Sequence, residues 1–244
     1  AAFFVASLCH VNLRVTSVHL LLNGLVGVVL GRRAALAIPV GLFLQVVLFQ
    51  HGGYSTLGVN SCVMTIPALL AGTLFAFLRQ LPWARQPWFR GCLVAVCAAA
   101  WTLSLVYSVT LLCTNRVSEL DTLETAAANS LTFHPLTLLG TAFMALLAAW
   151  LERRLENAPE FPLGLLVGEL TVLLTLVLNC LALVWGAYED WHTLALLVFV
   201  AHLPIAVVEG IVLGFTVGFL ARVKPELLGW TAAEKTPCAA DPSP

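Results

Sequence analysis

Six histidines and one deeply placed glutamate are the residues best suited to chemistry in this chain. The histidines are His10, His19, His51, His134, His192 and His202. Imidazole is the commonest metal ligand in proteins. A group of imidazoles near one mouth of a bundle suits capture of a soft or borderline cation. Histidines are also tolerated in loops and at interfaces, so composition alone leaves both readings open. Glu209 stands in H-L-P-I-A-V-V-E-G, near the middle of an apolar run. An acidic group at that depth costs about 2.5–3.5 kcal/mol on insertion scales. It must face protein or water and have a partner. His202 and Glu209 are seven residues apart and would share a helix face. A binding site or relay is one reading of the pair, and a hydrogen-bonded packing glutamate is the other. Glu169 is similar but nearer the end of its run.

Two local segments add polar groups. In T-S-V-H-L, residues 16–20, followed by Asn23 and Gly24, a helix would put His19 and Asn23 on one face at i,i+4. Gly24, Gly27 and Gly31 would allow close helix approach, as small residues do in membranes. In F-Q-H-G-G-Y-S-T-L-G-V-N-S-C-V-M, residues 49–64, three glycines permit a sharp turn beside His51, and Asn60 enters the next run. A polar re-entrant loop lining a cavity, with His51 and Asn60 on it, is one reading. A glycine-rich turn with Asn60 as a helix cap is the other.

The elements that would hold these residues are membrane spans. The 244 residues are 60% apolar and only 10% charged, against about 25% charged in soluble domains. A soluble enzyme and a nucleic-acid binder are excluded. The net charge of −1 indicates no partner. Seven apolar segments follow a polar stretch at 10–15: 16–31, 34–50, 59–80, 91–114, 135–152, 162–187 and 194–222. Residues 1–8 read as the end of a helix whose start lies upstream. The expected fold is an all-α polytopic bundle of about seven transmembrane segments plus that truncated first one. Residues 1–228 would form a single transmembrane domain, and 229–244 a disordered cytoplasmic tail. The connection 115–134 reads either as a short surface helix, with Leu120, Leu123 and Leu131 on the membrane, or as a polar loop. The seven cysteines contain no C-x-x-C pair and read as small core residues.

Placing successive connections on alternate sides sends ten of the twelve Lys and Arg residues to one side and two, Arg14 and Arg116, to the other. The rich side is expected to be cytoplasmic. His10, His51, His134 and His192 then lie in or beside the outer connections. His19 lies about one helical turn inside them, and His202 roughly 12 Å deep. The sequence holds no G-x-x-x-x-G-K-[ST] phosphate loop, no H-E-x-x-H zinc motif and no G-x-S-x-G nucleophile turn.

Five motifs in order resemble a known family: T-S-V-H-L, F-Q-H-G-G, L-G-V-N-S-C-V-M, A-H-L-P-I-A-V-V-E-G and F-L-A-R-V-K-P-E-L-L. They are similar to the substrate-capture component of cobalt/nickel energy-coupling-factor transporters, the CbiM/NikM family. The resemblance covers about 1–80 and 194–228; between them only hydropathy matches. It implies a multi-pass protein of the bacterial plasma membrane that captures Co²⁺, or alternatively Ni²⁺, from outside. No cofactor would be bound permanently; the metal is cargo. The partners implied are a membrane coupling subunit and ABC ATPases. In the family the metal is held mainly by an N-terminal M-H-I-P-[DE]-G segment, which is not among these residues, and by one helix histidine that matches His19. His51 falls where many members have Asp, and Val63 where many have a second Asn. The expected metal site is therefore His19 first, then His51 with Asn60 in support, and last His202 and Glu209. A membrane metalloenzyme using His19, His51 and His202, with Glu209 as base, is the rival of another class.

Overall fold

The computed structural model describes residues 10–13, 16–49, 53–82, 86–113, 135–155, 160–186 and 192–229. A short antiparallel hairpin opens it, β1 His10–Leu13 and β2 Thr16–His19, with His10 opposite His19 in register. Seven α-helices follow among the described residues. They are α1 Asn23–Leu30, α2 Ala34–Phe49, α3 Leu57–Gln80, α4 Pro87–Cys113, α5 Pro135–Leu155, α6 Phe161–Gly186 and α7 His192–Val223. Among the described residues, five stretches are long and apolar enough to cross a membrane by length and composition, one of them, Asn23–Phe49, being α1 and α2 together. The molecule is thus the polytopic all-helical bundle expected, with a hairpin added. The surface helix or loop at 115–134 and the tail beyond 229 lie outside the described residues.

Six of the seven expected segments coincide with helices. The first does not. Residues 16–31 hold a strand, an irregular turn at Leu20–Leu22 and then only eight helical residues. His19 and Asn23 therefore do not share a helix face. Leu22 has φ 49°, a left-handed conformation that ends any helical path between them. α1 is about 12 Å long, less than half of the ~30 Å hydrocarbon core. Gly31, with φ 54° and ψ −128°, reverses the chain into the 3₁₀ turn Gly31–Arg33 and then α2. Ala34, Ile38 and Leu42 of α2 pack with Ala68 of α3 and with Val26 of α1, so α1 and α2 stand side by side.

α1 runs parallel to α3. Asn23 meets Met64, Gly27 meets Ala68, and Gly72 meets Gly27 and Gly31. A Cβ on Gly27 would lie 1.8 Å from the Ala68 carbonyl oxygen. α6 and α7 cross with the same intimacy. Gly164 and Gly168 face Gly214 and Gly210, with Cβ positions 2.6–2.8 Å from the partner backbone. Both are small-xxx-small seams, which substitute van der Waals contact for a hydrophobic drive that lipid does not provide. Outward faces are apolar: Leu36, Val40, Phe43 and Val47 form an exposed stripe on α2.

One end of the bundle gathers Val28, Phe75, Leu163, Val217 and Leu228 into a single apolar cluster. Arg32, Arg33, Arg79, Arg90, Arg153 and Arg222 lie on turns or helix ends at this same end. The charge alternation read from sequence therefore has a structural counterpart. Arg90 of α4 pairs there with the buried Glu152 of α5. Across the α1–α3 seam, Gly27→Ala is expected to force the backbones apart and cost about 1–3 kcal/mol. Gly58→Ala, at a glycine with open space around it, is expected to leave stability unchanged. Thermal unfolding of the two variants in detergent checks this.

Candidate functional site

The start of α1 lies inside the bundle. Asn23 Nδ2 donates to Thr175 Oγ1 at 2.7 Å and to the Met64 carbonyl at 3.5 Å. Thr175 is fourteen residues along α6 from Phe161, about 21 Å into a helix of about 39 Å. The chain therefore passes as a strand and turn to roughly mid-depth before it becomes helical. Such a path is tolerated in a membrane only where protein surrounds it. Leu21 is 5% exposed and packs with Val172 and Leu176 of α6 and Ala206 of α7.

The polar groups of this turn are met one by one. Leu21 N–H and Leu22 N–H both donate to the carboxylate of Glu209, the second at 3.0 Å. Asn23 Oδ1 accepts from Gly24 N–H at 2.9 Å. Thr175 Oγ1 donates back to the Thr171 carbonyl at 2.8 Å, and Thr171 Oγ1 to Val167 at 2.6 Å. Asn23, Thr171, Thr175 and Glu209 are all buried. This is a short helix whose N-terminal end opens into the bundle, as the half-helices at the substrate sites of many transporters do.

The expected site residues fall in different places. Glu209 is central, but both of its oxygens are taken by backbone N–H groups. His202 is buried two turns from it on α7, with Nδ1 2.7 Å from the Val198 carbonyl. That contact makes Nδ1 the N–H donor and leaves the lone pair of the neutral ring on Nε2. His19 ends β2, whose backbone lies against α7. Asn60 is half-buried in the first turn of α3, one turn before Met64. It is not the cap of that helix; Thr56 precedes the first turn, and its hydroxyl donates to Gly53 O. His51 lies outside the described residues. The fold thus brings Glu209 and Ala206 of α7 and Met64 of α3 around the residues that start α1. Among the described residues no three His, Cys, Asp or Glu side chains form a metal-binding group.

Asn23, Thr171 and Thr175 were not among the expected site residues. Their signal was present: Thr171 and Thr175 are hydroxyls at i,i+4 in mid-span, and Asn23 follows an apolar run. Glu169 belongs elsewhere. It lines a cavity of about 270 Å³ with Cys97, Trp101, Met144, Val207 and Ile211, on the face of α7 turned away from Glu209. It is buried, so it is less open to water than its position in the sequence suggested.

Fold and site together define a multi-pass membrane protein built around a short helix that starts inside the bundle. Comparison narrows the class. The family model CbiM, cobalt uptake substrate-specific transmembrane region, matches residues 1–140 and 131–227, and the chain belongs to that family. A Haemophilus influenzae protein named "Putative metal transport protein" is 51% identical over 75 residues, 31% of this chain and 36% of that protein. The chain thus matches only about a third of that relative's length. No solved structure matches. The family resemblance read from the five motifs is thus borne out.

The Asn23–Thr175 bond gives a direct test of the site's construction. Thr175→Val removes the acceptor of Asn23 Nδ2 and leaves a buried amide underbonded, at a cost of about 1–3 kcal/mol. Thr175→Ser is expected to restore most of it. Thermal unfolding of the two variants measures the difference.

Proposed function

We propose that the chain is the substrate-capture component of an ATP-driven cobalt uptake transporter, taking Co²⁺ from the outer side; nickel is the close alternative. The observation that carries this reading is the strand-to-helix junction at mid-bundle. It holds irregular backbone and polar side chains where an ordinary span would have neither. His19 stands four residues before α1 on a strand lying against α7. His202, with its Nε2 lone pair, lies on the same α7. Nitrogen donors of this kind suit both Co²⁺ and Ni²⁺, which is why the donor set does not choose between them. His51 and Asn60, at the approach to α3, support the site in this reading.

Energy would come from outside the chain. It carries no phosphate-binding loop, so a membrane coupling subunit and ABC ATPases would drive release. The arginine-rich end, with the C-terminus, would face the cytoplasm of a bacterial plasma membrane. Of the rival readings, a metalloenzyme needs an open coordination position and a free general base. Glu209, the base that reading requires, is held by the Leu21 and Leu22 amides, one on each oxygen.

Two measurements test the proposal. In calorimetry with the full-length protein, His19→Ala is expected to abolish tight Co²⁺ binding, while His134→Ala and His192→Ala leave it intact. Unchanged affinity in His19→Ala would remove that residue from the site and leave His51 and His202 to be tested. Single cysteines at positions 51 and 85, in a cysteine-free background, are expected to label from opposite sides of the membrane. Labelling of both from one side would overturn the orientation.

A further inference from the structure

We propose that Glu209 is a positioning residue: it pins the segment Thr16–Leu22 into the bundle by accepting the Leu21 and Leu22 amides, and does not itself ligate the metal. The inference rests on the proposed metal site at His19. Four observations carry it. First, both carboxylate oxygens are occupied, one by each amide. Second, the bonded pair is long-range: Glu209 is 187 and 188 positions from its partners. The bond therefore ties the turn to the last helix rather than to its neighbours in sequence. Third, Leu22 is the one non-glycine residue with positive φ among those described. Leucine does not adopt that conformation unless its surroundings impose it, and Glu209 holds the amides on either side of the Leu21 Cα, the second being the N–H of Leu22 itself. Fourth, Asn23 caps Gly24 N–H and is itself tied to Thr175. The two anchors thus act in series, Glu209 on residues 21 and 22 and Asn23 on the first turn of α1.

The consequence concerns His19. It is two residues before Leu21, so its place is set by where that turn is fixed. A ligand carried on a chain segment binds tightly when the segment is already ordered, because ordering is not then charged against binding. Loss of the clamp would leave the donors chemically intact but disordered. Affinity should fall while the coordination set stays the same.

Charge-neutral Glu209→Gln has nearly the same volume but only one acceptor, and turns an NH₂ toward the second amide. Glu209→Asp keeps the carboxylate on a shorter stem. The experiment compares wild type, both variants and His19→Ala as full-length protein in nanodiscs. It reads Co²⁺ affinity by calorimetry, the visible absorption of bound Co²⁺ at saturation, and hydrogen exchange over residues 16–23. Glu209→Gln is expected to bind Co²⁺ at least tenfold more weakly. Exchange over 16–23 should quicken, and the saturated Co²⁺ spectrum should match wild type. Glu209→Asp should fall between Gln and wild type in affinity and exchange. A changed spectrum in Glu209→Gln would show that Glu209 is a ligand and overturn the proposal. So would unchanged affinity and exchange in Glu209→Gln. If Glu209→Gln does not fold, Glu209→Asp decides: weaker binding and faster exchange over 16–23 than wild type with an unchanged Co²⁺ spectrum would support the clamp, and a changed spectrum, or affinity and exchange equal to wild type, would overturn it. Weakened binding in Glu209→Gln alongside unchanged binding in His19→Ala would refute the His19 reading and leave the clamp standing, with another residue of the segment as the ligand.

Discussion

The structure depends on one reciprocal bond: two backbone amides and one carboxylate, each untenable alone in an apolar interior. Leu21 and Leu22 lie outside any helix, so their N–H groups have no intrahelical acceptor. Unmet, each would cost several kcal/mol in hydrocarbon. Glu209, 3% exposed and far from either end of α7, would be equally costly without a partner. Each supplies what the other lacks. The bond lets the chain enter the bundle as a strand, turn at mid-depth and start a helix there. The short α1, the place of His19 and the side-by-side arrangement of α1 and α2 all follow from that entry.

Eight residues of helix are too few to be stable unaided. α1 persists because its backbone can approach α3 without side chains intervening. Gly27 sits against the Ala68 carbonyl, and Gly72 against the Gly27 carbonyl. Gly24 faces Thr171 of α6 in ordinary contact. α1 is thus wedged between α3 and α6 while Asn23 reaches both. The α6–α7 seam makes a second requirement. Glu209 precedes Gly210, whose contact with Leu165 fixes the rotation of α7. The same glycine that lets the helices touch therefore aims the carboxylate at Leu21.

Much of this was legible in the residues, and the exceptions have physical reasons. Long apolar runs punctuated by glycine, proline and arginine gave six helices to within a few residues. The run at 16–31 failed because hydropathy does not separate a buried strand and turn from a buried helix. Thr16 and Val18, β-branched and alternating, favour extended backbone, yet the deciding partner is Glu209 on the last helix. Glu209 itself was legible as a residue needing a partner. The partner was sought among side chains, and it proved to be main chain, which no pattern of residue types announces. His202 is similar: its Nδ1 bond goes to a carbonyl of its own helix. The family resemblance implied a helical His19, where the structure has a strand.

The sign of the charge at this junction matters for a cation. A helix N-terminus carries the equivalent of about half a positive charge. Left bare, the start of α1 would repel a divalent metal arriving along β2 and would suit an anion instead. The Glu209 carboxylate, bonded to the amides just before that first turn, brings a full negative charge. The sum is about half a negative charge at the place where the strand meets the helix. Glu209, Leu21 and Asn23 are buried there, so its influence reaches further than it would at a surface. The residue that satisfies the backbone thus also reverses the field that a broken helix would otherwise present. In the proposed reading the cation meets imidazole nitrogen in a region of favourable potential, while the carboxylate stays with the amides. That division matters for release. A direct carboxylate ligand would bind the metal more tightly and hold it longer. A carboxylate one layer away attracts the ion but leaves the nitrogen set alone to decide how strongly it is held.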